Sequence, residues 1–455
     1  MRQHWNAYSS ARPYTFESRL MVVIQNIWWL LVLIGVMILI HELGHFWAAR
    51  FFDVRVETFS FGFGPRLFGF RRGETDFRFS AILFGGYVKM AGEQPGEETS
   101  DPRAFGSKPR WQRLIIAFAG PGMNILLAVA LLAGLFMVRY PRLANSDLPA
   151  TIGYVAKDGP ADKAGLQDGD VIVQIDDQRD PKWEDVLLKE VAWAKKAMTV
   201  GYVRNGERRH TTVTPILDNR TGVGSAGWEE RNVVQVGGIR SGYDAGKRGL
   251  QRGDVFVRIN GEPIHSLSKL HDAIKASKGE PVALTFRRND KEFETPVTPS
   301  WSEADSRWLI GVDLERPVII TQLAFPDAVR ESVRQNIKSA GLIYQFLECL
   351  IERRMSAKSL EGPIGIARLS GDAAREGPTA FFGLMAMVSL NLAVFNLLPI
   401  PILDGGMILM LAIEILMRRD MSMQFKEAIF KVGMVFLMAV VMFVLYNDIS
   451  KLLPG

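Results

Sequence analysis

The sequence has a single cysteine, Cys349, among 455 residues. That excludes any disulfide within the chain and any metal site built from a cysteine cluster. It has no long run of lysine or arginine, and its net charge of +5 is spread through loops, so nucleic acid is not an expected partner. Histidine is scarce too: apart from two near the N-terminus, only His4, His210, His265 and His271 occur. The first twenty residues have no apolar core and read as a disordered tail, with Met21 an equally good start. The apolar run from Met21 to Ile40 carries no cleavage-site signature and leads straight into a histidine motif. It does not read as a removable signal peptide.

What is present is segregated. A membrane crossing takes roughly 20 mostly apolar residues. Four regions qualify: about 22–46, about 114–138, within 380–417, and about 428–446. Lys431 interrupts the start of the last one, where its long stem lets the ammonium reach the interface. Basic residues crowd the segment between the first two spans, from Arg50 to Arg113, and the hinge between the last two, at Arg418, Arg419 and Lys426. The positive-inside rule makes that side cytoplasmic and sets both termini and residues 140–375 on the other. The third region is too long for one crossing. In its middle stands NLLPIPILDGG, Asn396–Gly406. Pro399 and Pro401 remove backbone donors and disfavour helix before them, and Gly405 and Gly406 loosen the backbone after them. The spacing predicts a helix, an unwound stretch near mid-membrane, and a second half-helix. Unwound backbone survives at that depth only against protein or a polar cavity.

Residues 145–320 read as water-soluble and contain a repeat. AGLQDGDVIVQIDDQ (Ala164–Gln178) realigns with RGLQRGDVFVRINGE (Arg248–Glu262) 84 residues on. Period-2 alternation marks Val171, Val173 and Ile175, then Val255, Val257 and Ile259, as one strand face in each copy. Gly165, Gly169, Gly249 and Gly253 suit turns that need positive φ.

His41-Glu42-Leu43-Gly44-His45 is an H-E-x-x-H motif. On a helix, residues four apart share a face, so both imidazoles reach one ion, with Glu42 beside them to take a proton from water. Catalytic zinc uses three protein ligands and a water. The motif lies about 13 Å inside the first following charge, Arg50, where ionisable groups are costly and usually functional. A satisfied pair of core histidines would leave Glu42 unexplained. No third histidine is placed to help, and spans two and four hold no acid in their apolar centres. Of the two acids in the third region, Glu414 has Arg418 four residues on and reads as half of a helical ion pair. Asp404 has no such partner and sits in the break, so it is the expected third ligand. Two rivals remain: a divalent-metal transporter, which the Glu42 base fits poorly, and a membrane scaffold with a vestigial metal site.

The repeat units resemble PDZ domains, which add an extended peptide to a sheet edge. Here they serve either that purpose or that of a plain spacer or size filter. HELGH in span one, FAGPGMN (Phe118–Asn124) in span two and NLLPIPILDGG in span three resemble the site-2 protease family of intramembrane metalloproteases. The two PDZ-like units point to its bacterial regulator-of-sigma-E type. The resemblance implies a polytopic α-helical membrane protein with four transmembrane helices, a membrane-associated β hairpin and two inserted β-rich PDZ domains. Its parts would be a core half at 21–140, PDZ domains at 145–225 and 226–302, interfacial helices at 325–378, and the other core half at 379–455. Within 325–378, residues 327–352 have amphipathic spacing.

The same resemblance implies a Zn2+ enzyme of the bacterial inner membrane. Its substrates would be transmembrane segments of pre-trimmed proteins, anti-sigma factors and signal-peptide remnants, handed on by an upstream site-1 protease. Phe59–Glu93 would offer a sheet edge to the unwound substrate, with Gly85 and Gly86 allowing close approach. Asn396 would hold substrate backbone or cap the helix break. Asn124 would stabilise the transition-state oxygen or brace spans two and three. Met407 departs from the histidine that relatives often carry there, at a position that is not a ligand.

Overall fold

The computed structural model describes residues 16–93, 100–218, 222–303, 305–356 and 362–452. Most of the expected tail, up to Thr15, lies outside them, while Phe16–Leu20 belong to the first helix rather than to a tail. The chain divides into two compact units.

The helical unit comprises 15–140, 322–344 and 360–455. It begins with α1 (Phe16–Phe51), an apolar helix that ends just before Asp53 turns left-handed at φ 52°. A long antiparallel hairpin comes next, β1 (Val56–Arg72) and β2 (Thr75–Met90), bent by repeated register shifts. Its base packs on α1 through Phe46, Phe59 and Phe77. Its outer half leaves Leu67, Phe68, Phe70 and Phe79 exposed, with Phe68 stacked on Phe79 and Phe70 on Phe77. Then come α2 (Arg110–Val138), α3 (Phe325–Ile351, whose last turns fall in the other unit), α4 (Pro363–Glu376), α5 (Pro378–Asn396), α6 (Asp404–Met417) and α7 (Met423–Leu452). Among the described residues, four helices are long and apolar enough to cross a membrane: Leu20–Phe51, Arg110–Val138, Pro378–Asn396 and Gln424–Lys451. The amphipathic segment expected at 327–352 is α3, with Ser332 donating to the Val129 carbonyl of α2.

The third apolar region resolves into helix, break and helix. Residues 397–403 run between α5 and α6 and fold back on the first turn of α6. A methyl group on Gly405 would lie 2.2 Å from the Leu398 carbonyl oxygen, and one on Gly406 2.4 Å from that of Ile400. Only glycine allows so close a return. Ile402 takes φ 89°, a conformation that a β-branched residue adopts only under constraint. At the far end of α6, the expected Glu414–Arg418 pair does not form. The buried Glu414 instead meets Lys426 of α7 at 2.7 Å and accepts from the Met421 N–H, while Arg418 is a left-handed cap. The helix end explains the swap: Arg418 lies past the last helical residue with φ 56°, off the face that carries Glu414, so the buried carboxylate pairs with a cation brought by another helix.

The second unit holds 141–321 with 345–359. The two repeats share one internal bond set. Arg204 clamps Asp170 through two nitrogens at 2.7 Å and donates to the Gly165 carbonyl. At the same offset, Arg288 clamps Asp254 at 2.6 Å and donates to Gly249. Both aspartates also accept a backbone N–H, from Gln167 and Gln251. The expected alternation is corrected by a bulge. Ile172 and Ile175 are the core residues of the first strand, Phe256 and Ile259 those of the second, because a register shift falls between them in each copy. Strand Trp228–Glu230 pairs with Ile152–Val155, closing the first repeat. Val312–Glu315 pairs with Val234–Ile239 in the second. These pairings tie each repeat to residues beyond the limits of 225 and 302 read from the sequence.

Candidate metal centre

Two helices must come very close to build this site. A methyl group on Gly44 of α1 would sit 2.3 Å from the Ala119 carbonyl oxygen of α2. At the next residue, Gly120 faces the histidines, and a methyl group there would lie 2.2 Å from His45 Nε2 and 2.8 Å from His41 Nε2. The missing side chain leaves the space that both imidazole nitrogens fill. The break before α6 then delivers Asp404 as the first residue of that helix.

His41 Nε2 lies 3.2 Å from His45 Nε2 and 3.2 Å from Asp404 Oδ2, and His45 Nε2 lies 3.5 Å from Asp404 Oδ1. Ligands bound at about 2.0–2.1 Å to a tetrahedral zinc stand roughly 3.3 Å from one another. The three separations match the edges of such a tetrahedron. Hydrogen bonding supports the same reading. His45 Nδ1 donates to the Ile116 carbonyl oxygen at 2.9 Å, which leaves Nε2 of the neutral ring as a bare lone pair aimed at the centre. Both rings are buried, so a cation fits the donor set where water could not balance it.

Glu42 lines the same cavity of about 160 Å³, together with Tyr87, Glu93 and Met407. The Val88 N–H of β2 bonds its carboxylate, and a methyl group on Gly86 would come within 3.3 Å of Glu42 Cγ. The hairpin thus lies directly on Glu42. At Gly85 φ is 122°, and a methyl group there would strike the Phe63 ring. Burial pushes the Glu93 carboxyl above the usual carboxylate range, with the Met90 N–H opposing it. Asn124 approaches His41, its Nδ2 being 3.3 Å from His41 Nδ1, and its carbonyl accepts from Ser389 of α5. Asn396 ends α5 and is not among the described residues that line the cavity. Sequence reasoning passed over Gly120 and the Ile116 carbonyl. Gly120 stood inside the FAGPGMN motif, where a small residue opposite two histidines was the available signal. A backbone carbonyl leaves no signal of that kind.

The chain matches Peptidase family M50 over residues 29–440. It is 32% identical to a protein of Xylella fastidiosa (strain Temecula1) with the provisional name zinc metalloprotease, over 93% of this chain and 98% of that one. It is 30% identical to a similarly named protein of Treponema pallidum, over 92% and 98%. With the regulator of sigma-E protease of Escherichia coli K12 it shares 29% identity over 93% and 98%. The chain therefore belongs to peptidase family M50, the site-2 protease family, and is a membrane zinc metalloprotease.

Proposed function

We propose that His41, His45 and Asp404 hold the zinc ion, and that Glu42 is the general base in hydrolysis of a peptide bond inside another protein's transmembrane segment. The convergence of three ligand atoms at tetrahedral spacing carries this reading. When bound, zinc polarises the scissile carbonyl and lowers the pKa of a water to about 7. The Glu42 carboxylate takes the proton from the attacking water and returns it to the nitrogen of the leaving amine. The Val88 N–H holds that carboxylate against β2.

A substrate helix hides its carbonyls in internal bonds and has to unwind before it is cut. The hairpin offers it a place. β2 pairs with β1 along one edge, and its other edge is unpaired among the described strands. An unwound segment adds there as a third strand, passing Gly86 and so reaching the cavity. Asn396 at the break is a second backbone holder in this reading.

The substrates are proteins already trimmed outside the membrane by an upstream protease, anti-sigma factors and signal-peptide remnants among them, and the setting is envelope stress signalling. The names of relatives from Escherichia coli and Salmonella typhimurium, regulators of sigma-E protease, favour this. The two repeats are PDZ domains that exclude untrimmed proteins. The membrane is the bacterial inner membrane, with the arginine-rich hairpin side cytoplasmic and the repeats outside.

The test uses purified full-length protein and a fluorescent transmembrane substrate. Glu42→Gln is expected to keep its zinc and cut nothing, and chelator is expected to silence the wild type. Cleavage by Glu42→Gln at the wild-type rate would remove Glu42 from the chemistry.

A further inference from the structure

We propose that Asn124 is a positioning residue that sets the tautomer of His41. Its side-chain oxygen takes the Nδ1 hydrogen and leaves Nε2 free to bind the cation. The inference rests on the reading of His41 as a zinc ligand.

The two imidazoles solve the same problem differently. Each must carry its hydrogen on Nδ1 if Nε2 is to bind metal. His45 gives that hydrogen to the Ile116 carbonyl, an atom that can only accept, so its tautomer is settled by the backbone. His41 faces an amide, which has a donor end and an acceptor end. Asn124 is fully buried, its Nδ2 stands 3.3 Å from His41 Nδ1, and its Oδ1 has no partner among the described residues. A buried oxygen without a donor costs about 1–3 kcal/mol.

With Nδ2 donating to Nδ1, the ring hydrogen has to sit on Nε2. It then points between Asp404 Oδ2 and His45 Nε2, each 3.2 Å away, and blocks a cation there. A half-turn of the amide exchanges its two ends with little change in shape. The orphaned oxygen then meets the Nδ1 hydrogen, and His41 Nε2 presents its lone pair to the centre. Zinc binding and the amide orientation select each other. A ligand histidine held this way gains basicity as well as direction.

This role differs from bracing of α2 against α5, which runs through the backbone carbonyl of Asn124 and the hydroxyl of Ser389 at 2.9 Å. Substitution separates the two. Asn124→Asp keeps an acceptor for Nδ1 and has no donor end. Asn124→Ala removes the acceptor. Ser389→Ala removes the brace alone.

The experiment measures zinc affinity of the full chain in detergent by competition with a chromogenic chelator. Asn124→Ala is expected to bind zinc about 10- to 100-fold more weakly than wild type. Asn124→Asp and Ser389→Ala are expected to stay within about threefold of wild type, or tighter for the aspartate. A separate readout needs no variant at position 124. Nitrogen-15 spectra of histidine-labelled, zinc-loaded wild type, with His41 assigned through His41→Ala, should show a protonated Nδ1. A bare Nδ1, wild-type affinity in Asn124→Ala, or a loss in Asn124→Asp as deep as in Asn124→Ala overturns the proposal. If His41→Ala itself keeps its zinc, the ligand assignment falls and takes the proposal with it. If His41→Ala loses zinc while Asn124→Ala holds it tightly, only the proposal falls.

Discussion

One methyl group decides whether the centre exists. Gly120→Ala puts a carbon 2.2 Å from His45 Nε2, on a helix backbone that is already in contact with α1 and has no room to retreat. The variant is expected to insert and fold yet carry no stoichiometric zinc by elemental analysis, with activity lost in parallel. Retention of zinc would show that the helices can separate. A second residue makes a different kind of forecast. Burial pushes the Glu190 carboxyl up to about 7, while bonds from the Ala226 N–H and Trp228 Nε1 pull it down. Its folded value lies above its unfolded one near 4.5. The stability it contributes is therefore complete below about pH 4.5 and is lost as the pH rises through 7, a change of roughly 3 kcal/mol. Thermal unfolding of the repeat-containing unit should weaken across that interval in the wild type. In Glu190→Gln the slope should be flat, at lower overall stability, because the amide turns an N–H toward one of the two donors. Glu42, His41, His45 and Asp404 could be proposed from sequence because ionisable groups are rare within apolar runs. Gly120 and Glu190 could not, since what matters about them is which neighbour stands opposite.

Among the elements, the break between α5 and α6 was readable in advance because two prolines and two glycines leave the backbone few alternatives. The ion pair at the end of α6 was misread for the opposite reason. An acid and a base four residues apart pair only while the helix runs through both, and here it ends at Met417 with Arg418 turned left-handed. Its partner Lys426 lies on another helix, so local spacing carried no trace of it. Lys426→Ala should strand a buried carboxylate and destabilise the helical unit on the order of 3 kcal/mol, seen as a fall in Tm in detergent. An unchanged Tm would mean that Arg113, now 3.8 Å away, closes in to replace it. The strand alternation in the repeats failed because a bulge reverses the facing of the residues after it. The bond set around Arg204 and Arg288 offers a matched pair of tests. Arg204→Ala and Arg288→Ala each leave an aspartate 1% exposed without its cation. Both should lower the stability of their own repeat by about 3–5 kcal/mol. A variant with no effect would show that the clamp adds nothing to that repeat.

At the scale of the molecule, the three residues proposed as zinc ligands belong to one compact unit and the repeats to the other. A ligand that binds only the folded state raises stability by mass action. Chelation should therefore lower the unfolding temperature of the helical unit together with activity, and leave the transition of the repeats where it was. A shift in both would mean that the two unfold as one. The division itself was legible in the contrast between apolar runs and the water-soluble stretch from 145 to 320. The exact strand membership was not, because the strand that closes each repeat comes from beyond the recurring segment.

The residues proposed as metal ligands stand far apart along the chain, two histidines before the entire inserted unit and one aspartate after it. During synthesis the ribosome releases the imidazoles long before the carboxylate exists. On that assignment a nascent chain passes through most of its translation with an incomplete centre. The proposed centre is complete only once the stretch that begins at Asp404 has been made. A ribosome-stalled chain ending before Asp404 should hold no zinc, and adding the missing C-terminal part as a separate polypeptide should restore it.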